Sequence, residues 1–373
     1  MAKRTAQSTA EKFPKTLLLG IYTPFNQIGS QEYYFEEFLS LVKTSGIHYD
    51  DTLFMKLRSA DNNMFLTKGK LEEVRAYCTE HEIEEVLCSE NLHPLQERNL
   101  SDALSCEVHD REHLILTIFR NSATTSEGKI QVEMAELEYL KTRIIGKGEE
   151  FAQQAGYLGN KGPGETAKEV LKRFFSEKKR QAQKRLDTLE RSREVQRKQR
   201  LGTSIPLVCI IGYTNSGKSS LLNRIAKSDV LAEDKLFATL DTTTRELFIK
   251  PEKKLLISDT VGFISQLPHN LIEAFKSTLA ELKYGHLLLH VVDMSNPAWK
   301  DQIAIVKTTL EELGAQDKPM LYVFNKRDKL TDTEFEALKP ELKGFEPHVV
   351  INTLSKEGVA DLMAWIEKYK FQI

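Results

Sequence analysis

Short apolar runs alternate with amphipathic stretches along the first third of the chain. TLLLGIYTPF reads as a strand, EYYFEEFLSLVKTSG as a helix with one apolar face, and LFMKLRS, EVLCSE and HLILTIFR as further short strands. Two helical patterns, KGKLEEVRAYCTEHEI and PLQERNLSDALSC, fall between them. Strands that alternate with helices predict a small N-terminal α/β domain over residues 16–122, preceded by a polar, disordered tail at 1–15.

The period changes at Gly128. Ile130, Met134, Leu137, Leu140 and Ile144 recur at helical spacing, and beyond AGYLGNKGPGET the pattern resumes at Leu171, Phe175, Ala182, Leu186 and Leu189. A long antiparallel helical hairpin over 123–202 is predicted, turning at a glycine-rich tip at 156–165. Read as one helix, residues 168–200 span about 50 Å. Gly202 and Pro206 then punctuate the chain, and PLVCII opens the first strand of a C-terminal domain over 203–373.

The net charge of -2 names no partner, but its distribution does. Residues 168–200 carry 13 Lys or Arg against 5 Asp or Glu, so the second hairpin helix is strongly basic and the remainder acidic. Such a helix is either a solvated charged face or an electrostatic footprint for nucleic acid. Cys78, Cys88, Cys106 and Cys209 show no CxxC spacing, which argues against zinc and for reduced thiols. His109 and His113 in HDREH lack the HExxH pattern and are not read as ligands. No segment approaches the ~20 apolar residues of a membrane span, and the N-terminus has no apolar stretch behind its basic residues. The expected location is the cytoplasm, with peripheral membrane association left open.

The chemistry concentrates in the C-terminal third. GYTNSGKSS follows a strand and precedes the apolar helical run LLNRIA, the setting of a phosphate-binding loop. Gly212, Tyr213, Thr214, Asn215, Ser216 and Gly217 would curl their N–H groups around phosphates at a helix N-terminus. Lys218 would reach the β- and γ-phosphates and Ser219 would ligate Mg²⁺. The strand LLISDTVG ends on Asp259, 41 residues after Lys218, where a carboxylate holds a metal-bound water. Thr260 and Val261 lead to Gly262, which would meet the γ-phosphate. The strand PMLYVFN runs into Asn325, Lys326, Arg327 and Asp328. The Asp328 carboxylate accepts from guanine N1–H and its 2-amino group together, a pair adenine does not present, so the site would select GTP over ATP.

The order GYTNSGKS, FATLDTTTR, DTVGF, NKRD resembles the translation-factor-related GTPases, with a Ras-like C-terminal domain. The longer string DTVGFISQLPHNLIEAFKSTLAEL is similar to HflX, the ribosome-associated GTPase family, and FLTKGKLEEV, DREHLILTIFRNSA, KIQVEMAELEYLKTR and GNKGPGET resemble its N-terminal segments in the family's order. The resemblance implies that Thr239 ligates Mg²⁺ and senses the γ-phosphate, and that Phe237, Ala238, Thr239, Leu240 and Asp241 line the nucleotide. It also implies that Phe263, in place of the usual water-orienting glutamine, is a family feature and that hydrolysis is slow until a large (50S) ribosomal subunit is bound. The implied role is splitting or rescue of stalled or idle ribosomes by a monomer, with rRNA and not DNA as partner. At the hairpin tip, Gly162 and the neighbouring glycines permit close backbone approach, Tyr157 offers a stacking face, and Asn160 and Lys161 are further candidate contacts.

Some segments depart from the family pattern. AKEVLKRFF follows GPGET where Gln-Leu and Asp-Arg-Arg are usual, and Lys161 stands where arginine is common, a change that is not neutral at a bidentate or stacked contact. The last guanine loop, usually Ser-Ala-Lys, reads Leu354, Ser355, Lys356, and little chain follows the helix GVADLMAWIEKY, so no large C-terminal extension is expected. Asn215 is a candidate K⁺ ligand, by analogy with related GTPases in which that cation stands in for an arginine finger. Two other readings remain open: a regulatory switch whose GTP form binds a protein, and an ATP-driven RNA remodeller in the N-terminal domain. KGKLEEV holds no complete second phosphate-binding loop to serve the latter.

Overall fold

The computed structural model describes residues 13–25, 28–147, 167–201, 205–226, 236–237, 243–250, 253–268, 271, 275 and 281–371. Most of the tail and the whole glycine-rich tip, with Tyr157, Asn160, Lys161 and Gly162, lie outside them, as do Ala238, Thr239, Leu240 and Asp241. The chain divides into two compact units, one made of the segment before Ile28 with Gly46–Leu114, the other of Ile28–Ser45 with Ile115 onward.

The first unit holds a four-stranded parallel sheet of β1 (Thr16–Tyr22), β2 (Asp51–Lys56), β3 (Glu85–Cys88) and β4 (Glu107–His109), in the order β2-β1-β3-β4. Parallel pairing requires crossovers, and α2 (Lys68–Glu80) and α3 (Pro94–Leu104) supply two of them. TLLLGIY is almost wholly buried, the continuous apolar run of a strand covered on both faces. Leu17, Leu19, Ile21, Val86 and Val108 form one core with Val74 and Cys78 of α2 and Leu100 and Leu104 of α3. The start of α3 is fixed by reciprocal capping: His93 Nδ1 accepts from Leu95 N, and Gln96 Oε1 accepts from His93 N.

One expectation is overturned. HLILTIFR is not a strand but the body of α4 (Arg111–Ser122). The buried Asp110 carboxylate accepts from His113 N at 2.9 Å, and Asp110 O accepts from Leu114 N, which starts the helix. Leu114, Ile115, Leu116, Ile118 and Phe119 are all buried, while His113, Thr117 and Arg120, spaced i, i+4 and i+7, form the narrower, less buried stripe of a helix. The strand that the apolar pattern does not reveal is β4, only three residues long.

The second unit contains α1 (Gln31–Ser45), a helical pair and a six-stranded sheet. Helices α5 (Ser126–Lys147) and α6 (Ala167–Leu201) pack antiparallel through Ile130, Met134, Ala182 and Leu186. Glu133 pairs with Arg185 at 3.0 Å and Glu138 with Lys179 at 2.9 Å, so the register descends along α6 as it rises along α5. The 35 residues of α6 extend about 50 Å.

The sheet comprises β5 (Leu207–Gly212), β6 (Thr243–Lys250), β7 (Lys253–Asp259), β8 (Leu287–Asp293), β9 (Met320–Asn325) and β10 (His348–Val350), in the order β10-β9-β8-β5-β7-β6. It is parallel except for the β6–β7 hairpin. Between the strands lie α7 (Lys218–Ala226), α8 (Glu281–Tyr284), α9 (Trp299–Glu312) and α10 (Asp332–Leu342), and α11 (Ala360–Lys368) follows β10. The chain leaves β5 toward β7 on one side and returns to β8 on the other. The carboxyl ends of these central strands therefore form a topological switch point, the place where open α/β sheets bind ligands.

Candidate functional site

Five segments meet at that switch point. Strand β5 ends on Gly212, where φ is +148° and a Cβ would stand 2.2 Å from Val291 O, so only glycine lets the chain turn there. The loop then runs through Tyr213, Thr214, Asn215 and Ser216 to Gly217, also at positive φ, and α7 begins on Lys218. Buried Lys218 donates from Nζ to Tyr213 O at 2.8 Å, so the ammonium is folded back over the loop. Burial lowers its pKa to about 8, and the neighbouring Asp259 carboxylate works against that shift.

Pairing of Ile210 with Asp259 places the end of β7 beside the loop. Ser219 Oγ donates to Asp259 Oδ2 at 2.9 Å, so a hydroxyl and a carboxylate stand together at the first turn of α7. Thr260 Oγ1 donates to Ile210 O, which fixes the chain as it leaves the strand. Gly262 packs close to the loop, since a Cβ there would lie 2.9 Å from Thr214 Cγ2 and 3.0 Å from Lys218 Nζ. Phe263 is locked on both sides, its N–H donating to Gly212 O at 3.1 Å and its carbonyl accepting from Thr214 N at 2.7 Å. Its ring is buried in the protein.

At the end of β9, Asn325 is fully buried and donates from Nδ2 to Ser216 O at 3.0 Å. Lys326, in the left-handed region at φ +63°, reaches Asn215 O at 2.7 Å and Asp293 Oδ2 at 2.8 Å. Asp328 stands in an exposed single turn of 3-10 helix. The Arg327 guanidinium points elsewhere: it donates to Leu330 O and Asp332 and lies over the Phe335 ring.

The last loop follows β10 and holds Thr353, Ser355 and Lys356. Ser355 Oγ accepts from Gly358 N at 3.0 Å, so that hydroxyl serves the loop itself, and Lys356 precedes a 3-10 turn on the exposed side. It is Thr353 that is buried and whose Oγ1 comes within 4.0 Å of the position of a Cβ on Gly217. Arg224 of α7 holds this stretch by donating to Thr353 O and Leu354 O. Neither Thr353 nor Arg224 is among the motif residues read from the sequence, and the hydrogen bonds between α7 and the β10 loop bring them together. Phe237 is buried edge-on against Phe119, with ring centroids 4.6 Å apart. Among the described residues no group of three His, Cys, Asp or Glu side chains could hold a metal ion, and no helix is long and apolar enough to cross a membrane.

The arrangement is a P-loop flanked by a hydroxyl–carboxylate pair and, at the end of β9, by the buried Asn325 with Lys326 and Asp328. Comparisons with known proteins match most of the chain. The family described as 50S ribosome-binding GTPase matches residues 207–326, the GTP-binding GTPase N-terminal family matches 32–120, and the GTP-binding GTPase middle region matches 122–200. A GTPase HflX of Lacrimispora saccharolytica is 45% identical over 79% of this chain and 69% of its own length. The GTPase HflX of Escherichia coli is 41% identical over 80% of this chain and 70% of its own. A GTP-binding protein from Sulfolobus solfataricus, crystallised with GDP, aligns at 24% identity and a TM-score of 0.45, covering 94% of this chain and 99% of that one. On these relatives and family matches, the chain belongs to the HflX family of GTPases and hydrolyses GTP.

Proposed function

We propose that the GTP-bound protein associates with the large ribosomal subunit and splits or rescues stalled or idle ribosomes, hydrolysis then releasing it. The observation that supports this most directly is the α5–α6 pair. It carries a 35-residue helix rich in Lys and Arg on the same chain as a nucleotide switch. Lys172, Arg173 and Lys178 are exposed there beside the half-exposed Phe174, a combination of phosphate-seeking charge and a stacking ring that suits RNA. The description of the family matching residues 207–326, 50S ribosome-binding GTPase, supports the same reading. On it the protein works as a cytoplasmic monomer, with the hairpin, boundaries 123–202, as the RNA-directed arm and no DNA partner.

At the nucleotide, Lys218 would release Tyr213 O to meet the β- and γ-phosphates, and the loop N–H groups would hold the rest of the phosphate chain. Gly262 would report the γ-phosphate through its N–H. Asp328 would accept from the base, Asn325 and Lys326 would frame it, and backbone groups from Thr353 onward would close over it. Ser219 and Asp259 form a hard-oxygen donor set that fits Mg²⁺, with Thr239 as the further candidate ligand. When bound, that ion would neutralise charge developing between the β- and γ-phosphates. Asn215, exposed on the loop, would be the K⁺ ligand if that cation takes part. Equal hydrolysis rates in KCl and NaCl with ribosomes present would remove that role.

The deciding experiment is sedimentation with purified large subunits at low salt. A non-hydrolysable GTP analogue should drive the protein into the pellet and GDP should not. Failure of the analogue to do so would favour a switch that answers to a protein partner instead.

A further inference from the structure

Helix α1 sends a buried carboxylate into the nucleotide site. Glu37 is 7% exposed. Its Oε2 accepts from the Tyr213 hydroxyl and its Oε1 from the Ser265 hydroxyl at 2.7 Å. The triangle is closed by Ser265 N, which donates to the Tyr213 hydroxyl oxygen at 2.8 Å. Tyr213 belongs to the phosphate-binding loop, Ser265 to the segment after Gly262, and Glu37 lies 176 and 228 residues away from them. Burial raises the Tyr213 pKa well above its ordinary value and the Glu37 charge raises it further, so the phenol stays a donor.

A carboxylate this deeply buried is costly unless it is fully bonded, and its partners here are two loops that contact phosphate. The consequences run in both directions from the triangle. The backbone carbonyl of Tyr213 accepts from Lys218, and Phe263 bridges Gly212 and Thr214, so one hydrogen-bonded unit connects Glu37 to the lysine and to Gly262. Helix α1 is anchored at both ends as well. Asp301 accepts from Gly29 N, the Tyr33 hydroxyl accepts from Gln302, and the Thr44 hydroxyl oxygen accepts from Leu236 N just ahead of FATL.

We infer that Glu37 is a positioning residue of the GTPase: by holding Tyr213 and Ser265 together it fixes Gly262 and Lys218 in the relative placement that the γ-phosphate requires. The inference rests on GTP hydrolysis and not on the ribosome reading. Glu37 itself touches no nucleotide group in this scheme. It acts through the two loops and couples their state to α1.

The test uses the full-length chain without ribosomes, so its outcome is independent of the sedimentation result. Intrinsic kcat and KM for GTP, and the ratio of affinities for GDP and a non-hydrolysable GTP analogue, are measured for Glu37→Ala, Glu37→Gln and Ser265→Ala. Loss of charge-assisted hydrogen bonds at the loops should lower kcat by about tenfold in Glu37→Ala and weaken the analogue relative to GDP. Glu37→Gln keeps an acceptor for Tyr213 and a donor for Ser265 and should stay within about threefold of the parent. Ser265→Ala should shift both quantities in the same direction, and combining it with Glu37→Ala should add little, because the residues act as one unit. A Glu37→Ala protein with lowered melting temperature but unchanged kcat and unchanged affinity ratio overturns the inference, leaving a structural contact only. Should Glu37→Ala not fold, Ser265→Ala decides: an unchanged or raised kcat in that variant has the same meaning.

Discussion

Gly217 lies so close to Asn325 that a Cβ on the glycine would stand 2.2 Å from the asparagine Nδ2. The P-loop and the turn at the end of β9, over a hundred residues apart in the chain, are thus in direct contact, and the asparagine bond to Ser216 O completes the seam. Gly217→Ala should fail on two counts, since φ there is +95° and the buried amide cannot retreat without losing its acceptor. Fluorescent-GDP titration should show affinity reduced by at least about tenfold, with stability lowered by about 1 to 3 kcal/mol.

The place of the usual glutamine is taken by a side chain that faces the interior. With its backbone bonded to Gly212 and Thr214 and its ring buried, Phe263 directs nothing toward a nucleophilic water. Phe263→Gln should therefore not accelerate intrinsic hydrolysis. It buries an amide in an apolar site and should cost about 3 kcal/mol of stability, read as a lower midpoint in urea unfolding. A faster single-turnover rate would show instead that the side chain can swing outward.

Lys218 gives nucleotide binding a pH dependence of defined sign. In the free protein its pKa is about 8, lowered chiefly by burial. A bound triphosphate favours the charged form, so the complex holds the proton to higher pH than the free protein. Below about pH 7 both states are charged and no proton moves. As pH rises through 8 the free lysine loses its proton while the bound one keeps it, so GTP affinity should fall, by up to about tenfold per unit. Calorimetry at pH 8.5 in buffers of different ionisation enthalpy should register proton uptake.

If α6 faces RNA, its exposed cations set the salt dependence of subunit binding. Replacing Lys172, Arg173 and Lys178 by glutamine leaves the α5–α6 core untouched, because none of the three is among the packed residues. The slope of log affinity against log salt should become shallower by about 0.7 to 0.9 for each phosphate that the variant no longer neutralises. GTP turnover without ribosomes should be unchanged. An unaltered slope would move the RNA contact off this face.

Much is legible without coordinates, for reasons that differ from place to place. The strand at Leu207, the loop of GYTNSGKSS and the turn at Asn325–Asp328 declare themselves because an apolar strand ending in glycines ahead of a helix, or in a polar turn, leaves a fixed pattern of residue types. The α5–α6 pair is visible as a 3.6-residue apolar period broken by glycines. HLILTIFR misleads because its polar stripe of His113, Thr117 and Arg120 is short, and the apolar run between them, β-branched and aromatic in part, has the composition of a buried strand. Likeness to Ser-Ala-Lys draws the eye to Leu354–Lys356, and the nearness of Thr353 to Gly217 is visible only once the chain is folded.

What the amino-acid order determined alone is local: which segments turn on glycines between strand and helix, which run straight, where a carboxylate ends a strand, and that one helix is strongly basic. Only the tertiary structure decided which distant groups share a hydrogen bond, and so it alone brought Glu37 of α1 to Tyr213 and Ser265, and Arg224 to the loop after β10. A motif is written by short-range constraints of backbone geometry. A buried polar network is selected by the need to satisfy every charge that packing removes from water, and the partners it finds carry no fixed spacing.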